Sequence, residues 1–304
     1  MELAMIGLGK MGANMTERLV KGGHRVIGFD LNPQSVEQIV KIGAEGAVSL
    51  EDLAGKLPEP QIVWIMVPAG GPVDQTVAAV LPFLRPGSVI IDGGNSYYRD
   101  TLRRAEQCDA KGVHLVDCGT SGGIWGLEEG YSMMVGGEKP VVENLSPIFE
   151  TLAPAADRGW GRVGPAGSGH FVKMIHNGIE YGLMQAYAEG MAIMEAKDEF
   201  SLDLHQIAEI WRYGSVVRSW LLDLTSEALA ENPAMEGIAP FVPDSGEGRW
   251  TVFEAIDLNV AAPIITNSLF RRISSRDEEE YADRILSAMR HKFGGHAIKS
   301  GEGS

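Results

Sequence analysis

Residues 2–12 read ELAMIGLGKMG. The apolar run LAMIGL ends in glycines, and helical spacing follows. A short, continuous apolar run bounded by turn residues fits a strand buried on both faces. Set between a strand and a helix, the GxGxxG of residues 7–12 is suited to hold a dinucleotide. Gly7 allows the tight turn, Gly9 lets a pyrophosphate approach the backbone, and Gly12 lets helix and strand pack closely. The helix N-terminus then faces the phosphates. Asp30 stands 18 positions beyond Gly12, at the end of the next apolar run, VIGFD. A carboxylate there accepts both ribose hydroxyls of NAD and repels the 2′-phosphate of NADP. LNPQS (31–35) offers no Arg or Lys to hold that phosphate. Glycines serving only a turn would leave Asp30 unexplained. The expected cofactor is therefore NAD, with NADP less favoured, held by Gly7, Leu8, Gly9, Met11, Gly12 and Asp30.

Outward from this loop, apolar runs recur at QIVWIMV (61–67), SVIIDG (88–93), VHLVDCG (113–119) and SMMVGG (132–137). Helical spacing lies between them, as in MTERLVKGG (15–23), PQSVEQIVKIG (33–43) and PVVENLSPIFETLA (140–153). Strands alternating with helices imply an α/β, Rossmann-type unit: a mostly parallel sheet with helices on both faces. Ligands bind such sheets at the carboxyl ends of their strands. Val67, Pro68 and Ala69 of VPAGG, Asn95 of GGN, and Ser121, Gly122 and Gly123 of GTSGG all fall at such ends. From residue 168 the patterns turn long and helical, over 168–198, 203–229, 257–274 and 277–291. The expected organisation is a cofactor domain over 1–163 and an all-α domain over 164–304, divided near GRVGPAGSG (161–169).

A chain of 304 residues is long enough for two domains with sizeable cores. Asp and Glu number 41 against 26 Lys and Arg. That balance weighs against a nucleic-acid surface, which needs clustered cations. It leaves room for a small anionic substrate, which a few local cations can hold. No run approaches the roughly 20 apolar residues of a membrane span. The N-terminus lacks the pattern of a signal peptide, so the cytoplasm is the expected compartment. Cys108 and Cys118 lack metal-ligand spacing and are expected to be reduced thiols.

The second informative stretch is KMIHNGIEYG (173–182). On a helix, Lys173, His176, Asn177 and Glu180 share one face, with Tyr181 at its edge. Val172, Ile175, Ile179 and Leu183 fall on another face, expected to be core. The polar line continues as Met184, Tyr187 and Met191, which a solvated face would not normally do, so a partly covered cleft is expected. Lys173 and Glu180 are two turns apart, roughly 10 Å along the axis. A desolvated Lys can act as a base, and a carboxylic acid can donate a proton elsewhere on a substrate.

At these residues the chain resembles the β-hydroxyacid dehydrogenase superfamily, whose GxxGxGxxxKxxxN segment is matched from Gly164 through Lys173 to Asn177. The extension to KMIHNGIEYG, together with DGGNS (92–96), TSGG (120–123) and RHKFGGH (290–296), resembles the decarboxylating 6-phosphogluconate dehydrogenases of the short-chain branch. The resemblance runs from residue 7 to residue 296. It implies that Lys173 takes the C3 hydroxyl proton of 6-phosphogluconate while hydride leaves for the nicotinamide. The 3-keto acid then loses CO2, and Glu180 protonates C1 of the enediol of ribulose 5-phosphate. Asn95 would sit between cofactor and substrate. Ser121, Gly122, Gly123, His176 and Asn177 would hold the sugar acid. Tyr181, one of the pair Arg271 and Arg272 (taken as Arg272), Arg290 and His296 would hold the phosphate. No metal is implied, since donors such as Lys173 can polarise the carbonyl. A homodimer or homotetramer is implied, its C-terminal tail reaching the neighbouring active site. A small-acid dehydrogenase without decarboxylation is the alternative; Glu180, Tyr181 and the tail argue against it. One departure stands out: Ser245 occupies the position of a phosphate-binding Lys in longer relatives, with Arg249 the nearby cation.

Overall fold

The computed structural model of the chain describes residues 1–278 and 280–299. The chain divides into two units, Met1–Gly178 and Ile179–Ser304.

The first unit is built on one eight-stranded sheet. Its strands are β1 (Glu2–Ile6), β2 (Arg25–Phe29), β3 (Glu45–Gly46), β4 (Ile62–Ile65), β5 (Val89–Asp92), β6 (His114–Ser121), β7 (Ser132–Gly136) and β8 (Trp160–Gly164). They lie in the order β3-β2-β1-β4-β5-β6-β7-β8. Every pairing is parallel except β6 with β7, which is antiparallel. The apolar runs are continuous because each strand feeds two cores. Leu3 and Met5 of β1 enter one core, while Ala4 and Ile6 enter the other. Trp64 and Val63 divide in the same way, as do Ile91 and Ile90. Met15 and Leu19, from the helix Lys10–Lys21, and Phe149 cover the first face. Leu53, Val73, Val77 and Cys108 cover the second. This is the expected sheet with helices on both faces.

Two strands lay outside the sequence reading. β3 is only two residues long, and β8, WGRVG, is half exposed at the sheet edge and shows no apolar run. The segment 140–153 is two helices, Lys139–Asn144 and Ser146–Leu152, rather than one. Pro147 explains the break, since it has no N–H and its ring clashes with the preceding turn.

Among its described residues the second unit contains helices joined by loops and no strand. The long helix Ser168–Glu195 begins in the first unit and supplies the second unit's opening residues. The stretch expected as one helix over 203–229 forms two, Leu204–Arg212 and Trp220–Glu231. Gly214 at φ +74° ends the first, and Ser219 caps the second by accepting the Leu222 N–H. Helix Glu247–Asp257 is additional to the expected helical stretches, and the next starts at Pro263 rather than 257. Tyr281–Gly294 is the last. No helix among the described residues is long and apolar enough to cross a membrane.

Candidate active site

The glycine loop is built as its spacing predicts. Gly7 sits at φ +93°, and a Cβ there would lie 2.4 Å from the Met66 carbonyl oxygen at the end of β4. A Cβ on Gly12 would lie 1.9 Å from the Gly7 carbonyl oxygen. A Cβ on Gly9 would meet nothing within 4 Å. Packing therefore demands glycine at 7 and 12 but not at 9, where the open space suits an approaching ligand. The helix Lys10–Lys21 has no side-chain cap and no acidic residue in its first turn, which favours an anion there. These features fit a dinucleotide pyrophosphate. Asp30 stands beside the loop, its carboxylate accepting the Leu8 N–H at 2.6 Å and the Asn32 N–H at 2.8 Å. It thus also shapes the loop, a role its spacing did not reveal. The Leu8 side chain lies in the core, while Met11 is half-buried. Val67 follows β4 and its side chain borders Gly7; Pro68 and Ala69 after it are exposed.

Asn95 is held at φ +49° in the loop after β5. Its side-chain amide donates to the Thr120 carbonyl at 3.1 Å and its oxygen accepts the Thr120 N–H at 2.9 Å. This pair ties the DGGNS loop to the end of β6, directly before Ser121. Gly122 and Gly123 follow at φ +128° and +53°. At the same strand, a Cβ on Gly119 would lie 2.4 Å from Lys173 Cβ. The missing side chain at 119 lets the Lys173 backbone settle onto the sheet. Asn95, Ser121 and Lys173 are thereby gathered at one edge of the first unit.

Lys173 is 5 % exposed. Its Nζ lies 3.4 Å from His176 Nδ1, which lies 3.0 Å from Asn177 Oδ1. The polar line Lys173–His176–Asn177 is therefore a connected group, not a solvated face. The expected core line is not core: Val172, Ile179 and Leu183 are 36 %, 52 % and 45 % exposed. The buried line instead runs through Lys173, Met174, Gly178, Tyr181 and Gly182. A Cβ on Gly182 would lie 3.3 Å from the Ile264 side chain, and the larger aliphatic residues are left outside. Glu180 is half-buried on the same helix.

In the second unit, the Arg272 guanidinium lies 3.4 Å above the centre of the Tyr181 ring and donates to the Pro243 carbonyl at 2.9 Å. Arg272 is half-buried and Arg271 exposed. Tyr181 OH lies 3.3 Å from Ser245 Oγ, which also donates to the Glu247 carboxylate. Arg249 is engaged by an acidic neighbour. Asp244, its side chain 4 % exposed, grips Arg249 at 2.8 and 3.2 Å and Arg276 at 2.7 Å. The Arg249 guanidinium foremost holds the Asp244 carboxyl below the usual range. Arg290 and His296 are exposed, on and just beyond the last helix. Met184, Tyr187 and Met191 line an apolar cavity of about 640 Å³ with residues of the two following helices.

Residues 2–161 match the family profile for the NAD binding domain of 6-phosphogluconate dehydrogenase, and residues 169–300 match its C-terminal domain. The chain belongs to the 6-phosphogluconate dehydrogenase family. It is 42 % identical over 299 residues to YqeC of Bacillus subtilis, covering 98 % of this chain and 99 % of that protein. It is equally identical to an NAD(+)-dependent, decarboxylating 6-phosphogluconate dehydrogenase of Haloferax volcanii, covering 98 % of each. The Plasmodium falciparum 6-phosphogluconate dehydrogenase structure, solved apo, with NADP+ and with 6-phosphogluconate, superposes with a TM-score of 0.84 at 28 % identity. That match spans all of this chain and 67 % of the Plasmodium one. The first unit thus contains an NAD-binding domain of this family.

Proposed function

We propose that this protein converts 6-phospho-D-gluconate to D-ribulose 5-phosphate and CO2, reducing NAD in preference to NADP. The observation that carries the reading is the buried Lys173 joined to half-buried His176 and Asn177, set against the strand that ends in Ser121, in a chain of this family. Residues 1–163 would bind the cofactor; residues 164–304 would bind substrate and form a homodimer or homotetramer. The exposed line of Val172, Ile179 and Leu183 supports a covering subunit.

Gly7, Leu8, Gly9, Met11 and Gly12 would hold the pyrophosphate, Asp30 the adenosine ribose, and Val67, Pro68, Ala69 and Asn95 the nicotinamide half. When bound, the nicotinamide accepts hydride from substrate C3. Lys173 removes the C3 hydroxyl proton and then donates a hydrogen bond to the new carbonyl as CO2 departs. Ser121, Gly122, Gly123, His176 and Asn177 orient the sugar acid. Glu180 delivers the proton taken up by C1 of the enediol that remains, the carbon that was C2 of the substrate. Tyr181, Arg272, Arg290 and His296 hold the phosphate. The test mixes the purified protein with 6-phosphogluconate and NAD or NADP and follows reduced nicotinamide and CO2 together. Equal amounts of both are expected; NADH without CO2 would exclude decarboxylation, and no turnover would exclude the substrate.

Asp30→Ala is expected to lower kcat/KM for NAD by about 10- to 100-fold, the loss of hydrogen bonds to a charged group. NADP should lose far less, so the NAD/NADP ratio collapses. An unchanged ratio in steady-state kinetics would leave Asp30 with only its loop-shaping role. Ser245→Lys should lower KM for 6-phosphogluconate about tenfold, because the cation offsets Glu247 and can bond a phosphate oxygen. A KM that is unchanged or raised places the phosphate elsewhere.

A further inference from the structure

Asp117, His170 and Thr101 form a buried polar chain that touches all three segments bearing the gathered residues of the first unit. Asp117 lies in β6, four positions before Ser121, and is fully buried. Its carboxylate accepts the N–H of Gly167 at 2.6 Å and of His170 at 2.8 Å. Those two amides open the long helix that carries Lys173. Gly167, immediately before that helix, has no side chain to cap it, so the cap comes from the sheet. His170 is 1 % exposed, and its Nδ1 lies 2.8 Å from Thr101 Oγ1. Its Nε2 has no partner among the described residues. Thr101 belongs to the helix Tyr98–Asp109, which follows the loop carrying Asn95.

The surroundings leave little slack. A Cβ on Gly136 would lie 2.3 Å from Asp117 Oδ1, and one on Gly169 would lie 2.7 Å from the Asp117 carbonyl oxygen. With Gly119 under Lys173, three glycines let helix and sheet meet at backbone distance. Burial pushes the Asp117 carboxyl up, and His170 beside it together with the two N–H donors opposes that.

We propose that Asp117 and the His170–Thr101 link are positioning residues for Lys173. They lock the first turn of its helix to the strand carrying Ser121 and to the helix behind Asn95. The proposal rests on the reading of Lys173 as the base. A displacement of about 1 Å at a reacting group can lower a rate by about 10²-fold. Asp117→Asn keeps the shape but turns an N–H donor toward a backbone N–H. Thr101→Val keeps the cap and breaks the link to the Tyr98–Asp109 helix, at the further loss only of a long 3.4 Å bond to the Tyr97 carbonyl, so it serves if Asp117→Asn fails to fold.

The test compares both full-length variants with the unaltered protein, using 6-phosphogluconate protonated or deuterated at C3. In each variant kcat should fall about tenfold or more while KM for NAD stays within about twofold, since the dinucleotide loop is untouched. The deuterium isotope effect on kcat should rise as hydride transfer becomes the slow step. A merely structural role would lower the active fraction and leave the isotope effect where it was, and that result overturns the proposal. Hydrogen exchange across residues 167–174 gives a readout independent of turnover. Asp117→Asn should accelerate it at least about tenfold, as a capped first turn is released. If the unaltered protein does not turn over 6-phosphogluconate, the functional reading fails. Unaltered exchange in Asp117→Asn overturns the positioning role in either case.

Discussion

Lys173→Met is expected to lower kcat with 6-phosphogluconate by about a thousandfold or more while the protein folds and still binds NADH. General base catalysis contributes about 10²- to 10⁴-fold, and Lys173 is proposed both to take the C3 proton and to polarise the carbonyl before CO2 leaves. The upper half of that range is therefore the expected loss. Methionine nearly matches the length of lysine and suits a position that is 5 % exposed. The substitution nearly conserves the buried volume, so the thermal midpoint should hold. NADH binding, read by fluorescence titration, should stay within about twofold, because the Gly7–Gly12 loop makes no use of Lys173. Retention of near-normal kcat would remove Lys173 from the chemistry. Loss of both turnover and NADH binding would point to a collapsed site instead.

The dinucleotide loop is legible in sequence because two of its glycines answer packing demands and the third leaves open space for a ligand. Gly7 and Gly12 are required by contacts with Met66 and with each other, and Asp30 lies at the end of the adjacent strand. The strands are legible because burial on both faces forces continuous apolar runs. β8 is not, because an edge strand half exposed to water needs no such run. The helix 168–195 is legible in extent but not in orientation. It carries aliphatic residues on more than one side, and the buried side runs through Lys173, Met174, Gly178, Tyr181 and Gly182 rather than through the larger aliphatic residues. The polar contacts that organise the first unit leave no local pattern. Asp117 meets residues 50 and 53 positions away, and Arg104 meets Asp74 and Gly70 at 30 and 34. Only the folded sheet makes these pairs neighbours.

Arg104→Leu should destabilise the protein by about 3–5 kcal/mol, the usual effect of removing one partner from a buried ion pair. Arg104 and Asp92 are both fully buried and 3.2 Å apart. Arg104 also binds Asp74 at 2.7 Å and donates to the Gly70 carbonyl at 3.1 Å. One guanidinium thus joins the end of β5, the loop VPAGG and the helix behind it. Leucine fills part of the space but leaves the Asp92 carboxylate, among the described residues, with only the Gly94 N–H and the Ser96 hydroxyl. The thermal midpoint should drop by about 10 °C. The double variant Arg104→Leu/Asp92→Asn should recover part of that loss, because the orphaned charge goes with it. Absence of any recovery would mean that lost packing, not the buried charge, dominates. Burial tends to raise the Asp74 carboxyl, but Arg104 and Arg103 outweigh it and hold it below its usual range. A carboxylate held low stabilises the fold above its unfolded pKa and loses that contribution as pH falls through its folded value. The gap in stability between the unaltered protein and Arg104→Leu should therefore narrow on acidification, and a denaturant series from neutral to acid pH measures it directly. Release of Gly70 should also loosen VPAGG and raise KM for NAD several-fold. An unchanged KM would separate that loop from the nicotinamide half of the cofactor.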